Sequence, residues 1–131
     1  MECLKKRSQL SSRIVNFICP IGATINMDGT AIFQAATTLF IASLYGIHLT
    51  LGQLALVILA TALASIGSAA IPSAGLLTLV IVLNIVHIPI EGIGVILAAD
   101  RVLDMFRTTV NVFSDSVCAS IVNRYETKNG L

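Results

Sequence analysis

Tryptophan is absent from this chain, charged side chains make up only 11% of it, and the net charge is +1. So little charge of either sign excludes a disordered charged tail and a nucleic-acid-binding arm, and no polyanionic partner is expected. Cys3, Cys19 and Cys118 are odd in number and far apart. They match no metal or disulfide spacing and read as inert thiols. From Met1 to Arg13 the chain is charged rather than apolar, so no cleavable signal peptide is visible. What is plentiful is apolar: 56% of 131 residues. That places the chain in the membrane class, with length for roughly three to five passes.

One apolar run, from about Ile14 to Leu44, is interrupted by Asn26-Met27-Asp28-Gly29-Thr30. Removing a carboxylate from water costs several kcal/mol, so an Asp at this depth beside a helix-weakening Gly marks exposed backbone and charge lining a cavity. The expectation is a broken transmembrane helix over 14–45. A second apolar stretch, Leu54 to Leu83, is broken by the small and polar residues from Ser65 to Gly75. Each arm then measures only about 15 to 20 Å, against a hydrocarbon core of about 30 Å.

The basic residues set the orientation. Lys5, Lys6, Arg7 and Arg13 precede the first apolar run, and Arg124 and Lys128 follow the last. Neither connecting loop, Gly46–Gly52 or Asn84–Gly92, holds any Lys or Arg. By the positive-inside rule both chain ends are cytoplasmic and both loops face outward, which requires an even number of crossings. A re-entrant helical hairpin over 53–84, with its tip at mid-membrane, satisfies that parity. A single kinked spanning helix does not.

From Glu91 to about Tyr125 the pattern predicts one long helix. Asp100, Asp104, Arg107, Thr108, Asn111 and Asp115 fall within an arc of roughly 100° on it, too many polar groups for one helix-pinning ion pair. Arg107 can bind a carboxylate through two parallel hydrogen bonds, and Asp104 can accept from an ammonium group. Together they suit a zwitterion with an extra acid, aspartate or glutamate. Asp100 is placed to orient the guanidinium. Asn111, Asp115, Asn26 and Asp28 offer the hard oxygens that alkali cations prefer, and the broken elements free backbone carbonyls for the same use. His48 and His87 sit in the loops as surface or packing residues, and no enzymatic chemistry is indicated.

At Pro20-Ile21-Gly22-Ala23-Thr24, Asn26 to Thr30, Ser65 to Gly75, and Asp104-Met105-Phe106-Arg107-Thr108 with Asn111-Val112 and Asp115, the sequence resembles the dicarboxylate/amino acid:cation (sodium) symporter family, which includes glutamate and aspartate transporters. The resemblance implies an elevator-type secondary transporter carrying L-aspartate or L-glutamate with sodium ions. It implies that Arg107 binds the substrate side-chain carboxylate, Asp104 its amino group and Asn111 its main-chain carboxylate, with Thr30 and Thr108 nearby and backbone from Ile71 to Gly75 closing the pocket. Sodium sites are implied at Gly22, Asn26, Asn111 and Asp115; at Thr24, Met27, Ser65, Ile66 and Ser68; and at Asn26 with Asp28. The hairpin would be the gate. The implied organisation is a cytoplasmic flank over 1–13, the C-terminal half of a transport core over 14–125, and a tail over 126–131. A missing N-terminal half, a homotrimeric whole and a multi-pass setting in the lipid of a plasma or cell membrane complete the picture.

Two alternatives stand beside this reading. One is a truncated or regulatory membrane fragment without transport of its own. The other is a carrier of neutral amino acids or dicarboxylates, against which Arg107 and Asp104 respectively argue. Ala70 and Ser114 replace glycines common in the family. Gln34 and Met105 stand where its proton- and potassium-coupled members have Glu and Arg. We therefore expect weak proton and potassium coupling: a pH gradient imposed without sodium should drive no uptake into vesicles.

Overall fold

The computed structural model describes residues 1–68 and 74–129, and every regular element in them is helical. In chain order these are α1 (Glu2–Lys6), α2 (Ser12–Ile25), α3 (Asp28–Leu44), α4 (Leu51–Ile66), α5 (Ala74–Ile85), a 3-10 turn (Ile90–Gly92), α6 (Ile93–Leu97) and α7 (Asp100–Asn129). The all-α class expected from the sequence is the class adopted.

The first apolar run does divide at the polar pentapeptide. Asn26 (φ −92°, ψ 77°) and Met27 (φ −108°, ψ 48°) leave helical space between α2 and α3. Asp28 then opens α3 in its first turn, where the partial positive charge of unpaired N–H groups favours a carboxylate. The other boundaries follow from local chemistry. At the end of α3, Gly46 takes φ +67°. Its N–H and that of Ile47 return to Ser43 O and Ala42 O at 3.1 and 2.8 Å, satisfying carbonyls that the helix leaves open. Thr50 and Gln53 cap α4 reciprocally, with Thr50 N donating to Gln53 Oε1 at 2.9 Å. Beyond α5 the same reversal recurs with a non-glycine residue: His87 has φ +57°, and Ile88 N donates to Leu83 O at 2.9 Å.

The segment expected as one helix from Glu91 to Tyr125 is not continuous. After the 3-10 turn and α6, Ala98 and Ala99 form a tightened turn. There Ala99 N donates to Ile96 O and Val102 N to Ala99 O, each at 3.0 Å and each reaching back three residues rather than four. α7 starts only at Asp100, and it continues past Tyr125, so residues 126–129 of the expected tail are helical. Thr127 Oγ1 back-bonds to Asn123 O at 2.8 Å in that extension. The flank over 1–13 likewise holds α1, and Ser11 N donates to Asn123 Oδ1 at 2.8 Å, joining the two chain ends.

α3 is the central element, packed against α4, α5 and α7, while α2 packs along α7. Ile41, Val57, Leu79 and Leu83 are fully buried where α3, α4 and α5 meet. The exterior is itself apolar, with Phe17, Ile32, Ile58, Leu63, Leu77, Phe106 and Phe113 all exposed. An apolar surface this extensive marks a face meant for lipid or protein rather than water. At about 1.5 Å per residue, α2 to α5 measure roughly 18 to 26 Å. No helix among the described residues is long and apolar enough to cross a membrane.

The left-handed His87 carries a testable cost. Because an L side chain in that region loses about 1–2 kcal/mol relative to glycine, His87→Gly should stabilise the fold by about 0.5–1 kcal/mol, measured by denaturant unfolding in detergent.

Candidate functional site

Three helices meet around one buried guanidinium. Arg107, on α7, is only 6% exposed. α3 approaches it through Gly29, where a Cβ would lie 2.3 Å from Arg107 O, so only glycine permits this contact between backbones. α5 approaches through Gly75, where a Cβ would lie 2.4 Å from Arg107 Nη1. Asp104, one turn earlier, accepts from Nε at 3.1 Å and also from Nη2, both through Oδ1. Its Oδ2 makes no hydrogen bond among the described residues. The ring of Phe33 lies under the guanidinium, with Cζ 4.5 Å from its centroid, a cation–π arrangement on the dry side of the group. Asp100 is buried, and its carboxylate lies 3.9 Å from Nη2, close enough for charge attraction but beyond a hydrogen bond. Among the described residues Nη1 has no hydrogen-bond partner. A buried donor on a charged group is costly to leave unmade, and one that persists calls for an explanation.

A second polar group sits at the helix break. Gly29 N donates to Asn111 Oδ1 at 2.7 Å, so the start of α3 is held by α7. Asn111 Nδ2 in turn meets Thr30 Oγ1 and Met27 Sδ, both at 3.3 Å. Asn26 Nδ2 donates to Asp115 Oδ1 and to Ser114 Oγ, both at 2.9 Å. Asp115 lies flat against α2, because a Cβ on Gly22 would be 2.1 Å from its Oδ1.

A cavity of about 320 Å³ opens between these groups. That is the low end of the range for small-molecule sites, roughly 300–1,000 Å³. Of the residues singled out from the sequence, Gly22, Met27, Thr30, Ser68, Gly75, Asp104, Arg107, Thr108, Asn111 and Asp115 line it. Asn26 and Asp28 adjoin it through Asp115 and Ser114. Three do not join. Thr24 spends its hydroxyl on Ile21 O and Ser65 on Ala62 O, each at 2.9 Å, and Ile66 is half exposed. Ile71 lies outside the described residues, as does the rest of the expected hairpin tip from 69 to 73.

Sequence reasoning missed Phe33 as a partner of Arg107 and Ser114 as a partner of Asp28. Phe33 was findable, since it sits three residues past Thr30 on the face of α3 that Gly29 turns toward α7. Gln34 has a further role that its position alone does not reveal. It is fully buried, and its Nε2 donates to Thr78 Oγ1 and toward Gly75 O, tying α3 to the helix that contacts Nη1.

Residues 1–125 match the sodium:dicarboxylate symporter family. The chain is 46% identical over 124 residues to an excitatory amino acid transporter of Caenorhabditis elegans, covering 95% of this chain and 25% of that protein. It is 45% identical over 127 residues to mouse excitatory amino acid transporter 3, covering 97% and 24%, and 47% identical over 121 residues to human excitatory amino acid transporter 2, covering 92% and 21%. The chain belongs to the sodium:dicarboxylate symporter family. It spans about a quarter of the length of these relatives, which are membrane transporters rather than enzymes.

The close approach at Gly29 can be tested against a glycine with room around it. Gly29→Ala forces α3 off the Arg107 carbonyl and should destabilise by about 1–3 kcal/mol. Gly52→Ala, with nothing within 4 Å of its Cβ, should instead be neutral or stabilising by up to about 1 kcal/mol in its helix. Unfolding of the two variants in parallel reads the difference.

Proposed function

We propose that this chain forms the C-terminal part of the transport core of a sodium-coupled symporter for acidic amino acids. The observation that carries the reading is Arg107 Nη1, a buried cationic donor without a partner among the described residues, on the wall of a cavity sized for a small molecule. The side-chain carboxylate of aspartate or glutamate would supply the acceptor it lacks. Asp104 Oδ2, which makes no hydrogen bond among the described residues, would take the substrate's ammonium group. Asn111 would meet the main-chain carboxylate, with Thr30 and Thr108 alongside and the backbone from Ile71 to Gly75 above. Membership in a sodium:dicarboxylate symporter family and identity near 45% to excitatory amino acid transporters support the substrate class.

Sodium enters this reading as cargo. Gly22, Asn26, Asn111 and Asp115 gather hard oxygen atoms at the break between α2 and α3, and Asp28 adds a second carboxylate. Thr24, Met27, Ser65, Ile66 and Ser68 would contribute a further site through hydroxyl or backbone oxygens. Residues 14–45 would be a broken transmembrane helix, 53–84 a re-entrant hairpin acting as the gate, and 91–125 the substrate-binding segment. The lengths of α4 and α5, about 24 and 18 Å, suit arms that enter a roughly 30 Å bilayer core without crossing it. A gate that closes only over a loaded site would oblige ions and substrate to move together, because each binds better to the state the other favours.

The test is uptake of labelled aspartate into proteoliposomes under a sodium gradient, with the chain co-reconstituted with the preceding part of a relative. Truncating one partner of a buried charged pair costs about 2–5 kcal/mol. Arg107→Ala should therefore raise the half-saturating aspartate concentration by about thirtyfold or more. Arg107→Lys, which keeps charge but not the paired donors, should recover only part of the loss. Uptake that survives Arg107→Ala with unchanged affinity would sink the reading.

A further inference from the structure

We propose that Ser114 is a positioning residue for the cation at the helix break, an inference that rests on the sodium-coupled reading and names a residue beyond those the family resemblance implies. The hydroxyl of Ser114 donates to Asp28 Oδ2 at 2.5 Å and accepts from Asn26 Nδ2 at 2.9 Å. The same Asn26 amide reaches Asp115 Oδ1 at 2.9 Å. One hydroxyl and one amide thus connect two carboxylates that lie on different helices. Asp28 is exposed, and Ser114 supplies its one side-chain hydrogen bond among the described residues.

The chemistry follows from what a hydroxyl can do. It has one proton to give and two lone pairs to offer, and it turns about a single bond. With its proton on Asp28 it holds that carboxylate against α7 and screens its charge. A cation arriving between Asp28 and Asp115 displaces the proton, and the rotated hydroxyl then presents a lone pair to the ion. Ser114 therefore keeps Asp28 in place before loading and adds a hard oxygen after it, without movement of the backbone. Alanine would free the Asp28 side chain to swing into solvent and would remove that oxygen.

The experiment is backbone hydrogen exchange of the whole chain in detergent micelles, titrated with sodium chloride against choline chloride at constant ionic strength. Sodium should slow exchange at residues 26–30. Ser114→Ala should raise the half-saturating sodium concentration about tenfold, the effect of losing one hydrogen bond to a charged group. Ser114→Thr, which keeps the hydroxyl, should stay within about twofold of the parent, whereas Ser114→Cys, of similar size but with a soft sulfur, should behave like alanine. These two variants carry the test if alanine does not fold. Amides of α4 and α5 serve as the control, because a purely structural role would loosen them equally and leave the sodium midpoint in place. An unchanged midpoint in the Ala and Cys variants, or no sodium response in the parent, overturns the inference. Aspartate added at saturating sodium should further slow exchange around Arg107, and a sodium response without that aspartate response would overturn the substrate reading alone.

Discussion

A guanidinium that is 6% exposed in a chain this apolar constrains everything around it. Removing such a charge from water costs several kcal/mol, and the loss is offset only when opposite charge and hydrogen bonds replace the hydration shell. Here Asp104 supplies the hydrogen bonds, Asp100 adds charge at 3.9 Å, and Phe33 covers the face. The surrounding backbones must come close to complete that enclosure. Gly29 and Gly75 are the residues that let them, one from α3 and one from α5. The packing of three helices is thus set by the needs of one side chain.

The polar break between α2 and α3 is the second half of the same arrangement. A continuous helix would use its own carbonyls and amides internally and would keep Asp28 on its flank. By stopping at Ile25 and restarting at Asp28, the chain turns backbone and short polar side chains toward α7, where Asn111, Ser114 and Asp115 meet them. The outside of the same helices carries exposed Phe, Leu and Ile. Polar groups inside and apolar groups outside invert the pattern of a water-soluble bundle. In a bilayer that pattern keeps charge away from hydrocarbon while leaving a path for it within the protein.

Much of this was legible in the residues. The break within Asn26–Thr30 and the polar stripe of α7 follow from the sequence pattern at about 100° per residue, which the structure keeps locally, whereas the partner that hydrogen-bonds the Arg107 guanidinium is Asp104, and Asp100, expected to orient it, lies 3.9 Å away. Periodicity over-reached between Glu91 and Asp100, because it does not detect a turn that tightens from four-residue to three-residue pairing while its residues remain helix-formers. It also could not find Ser114 or the bond from Gln34 to Thr78. Those contacts join residues more than forty positions apart, and only the packing of α3 against α5 and α7 brings them together. Thr24 and Ser65 donate their hydroxyl protons to carbonyls of their own helices, which leaves the oxygen lone pairs available to a cation.

The open valences of the site also bear on selectivity. Among the described residues Asp104 uses Oδ1 for Arg107 and makes no hydrogen bond through Oδ2, while Arg107 Nη1 has no acceptor. A ligand carrying both a carboxylate and an ammonium group would complete both without breaking the internal pair. A neutral amino acid would leave the buried Nη1 without an acceptor among the described residues, at a cost of about 1–3 kcal/mol, more because the group is charged. A plain dicarboxylate would bring a second carboxylate toward Asp104 with no ammonium group between them, and like charges repel. On the proposed reading, discrimination against both ligand types would come from unmatched charge rather than from steric exclusion. One methylene changes no hydrogen bond and is worth only about 1–3 kcal/mol in a pocket, so an arrangement that selected an acidic amino acid in the proposed way would not, by the same means, separate aspartate from glutamate.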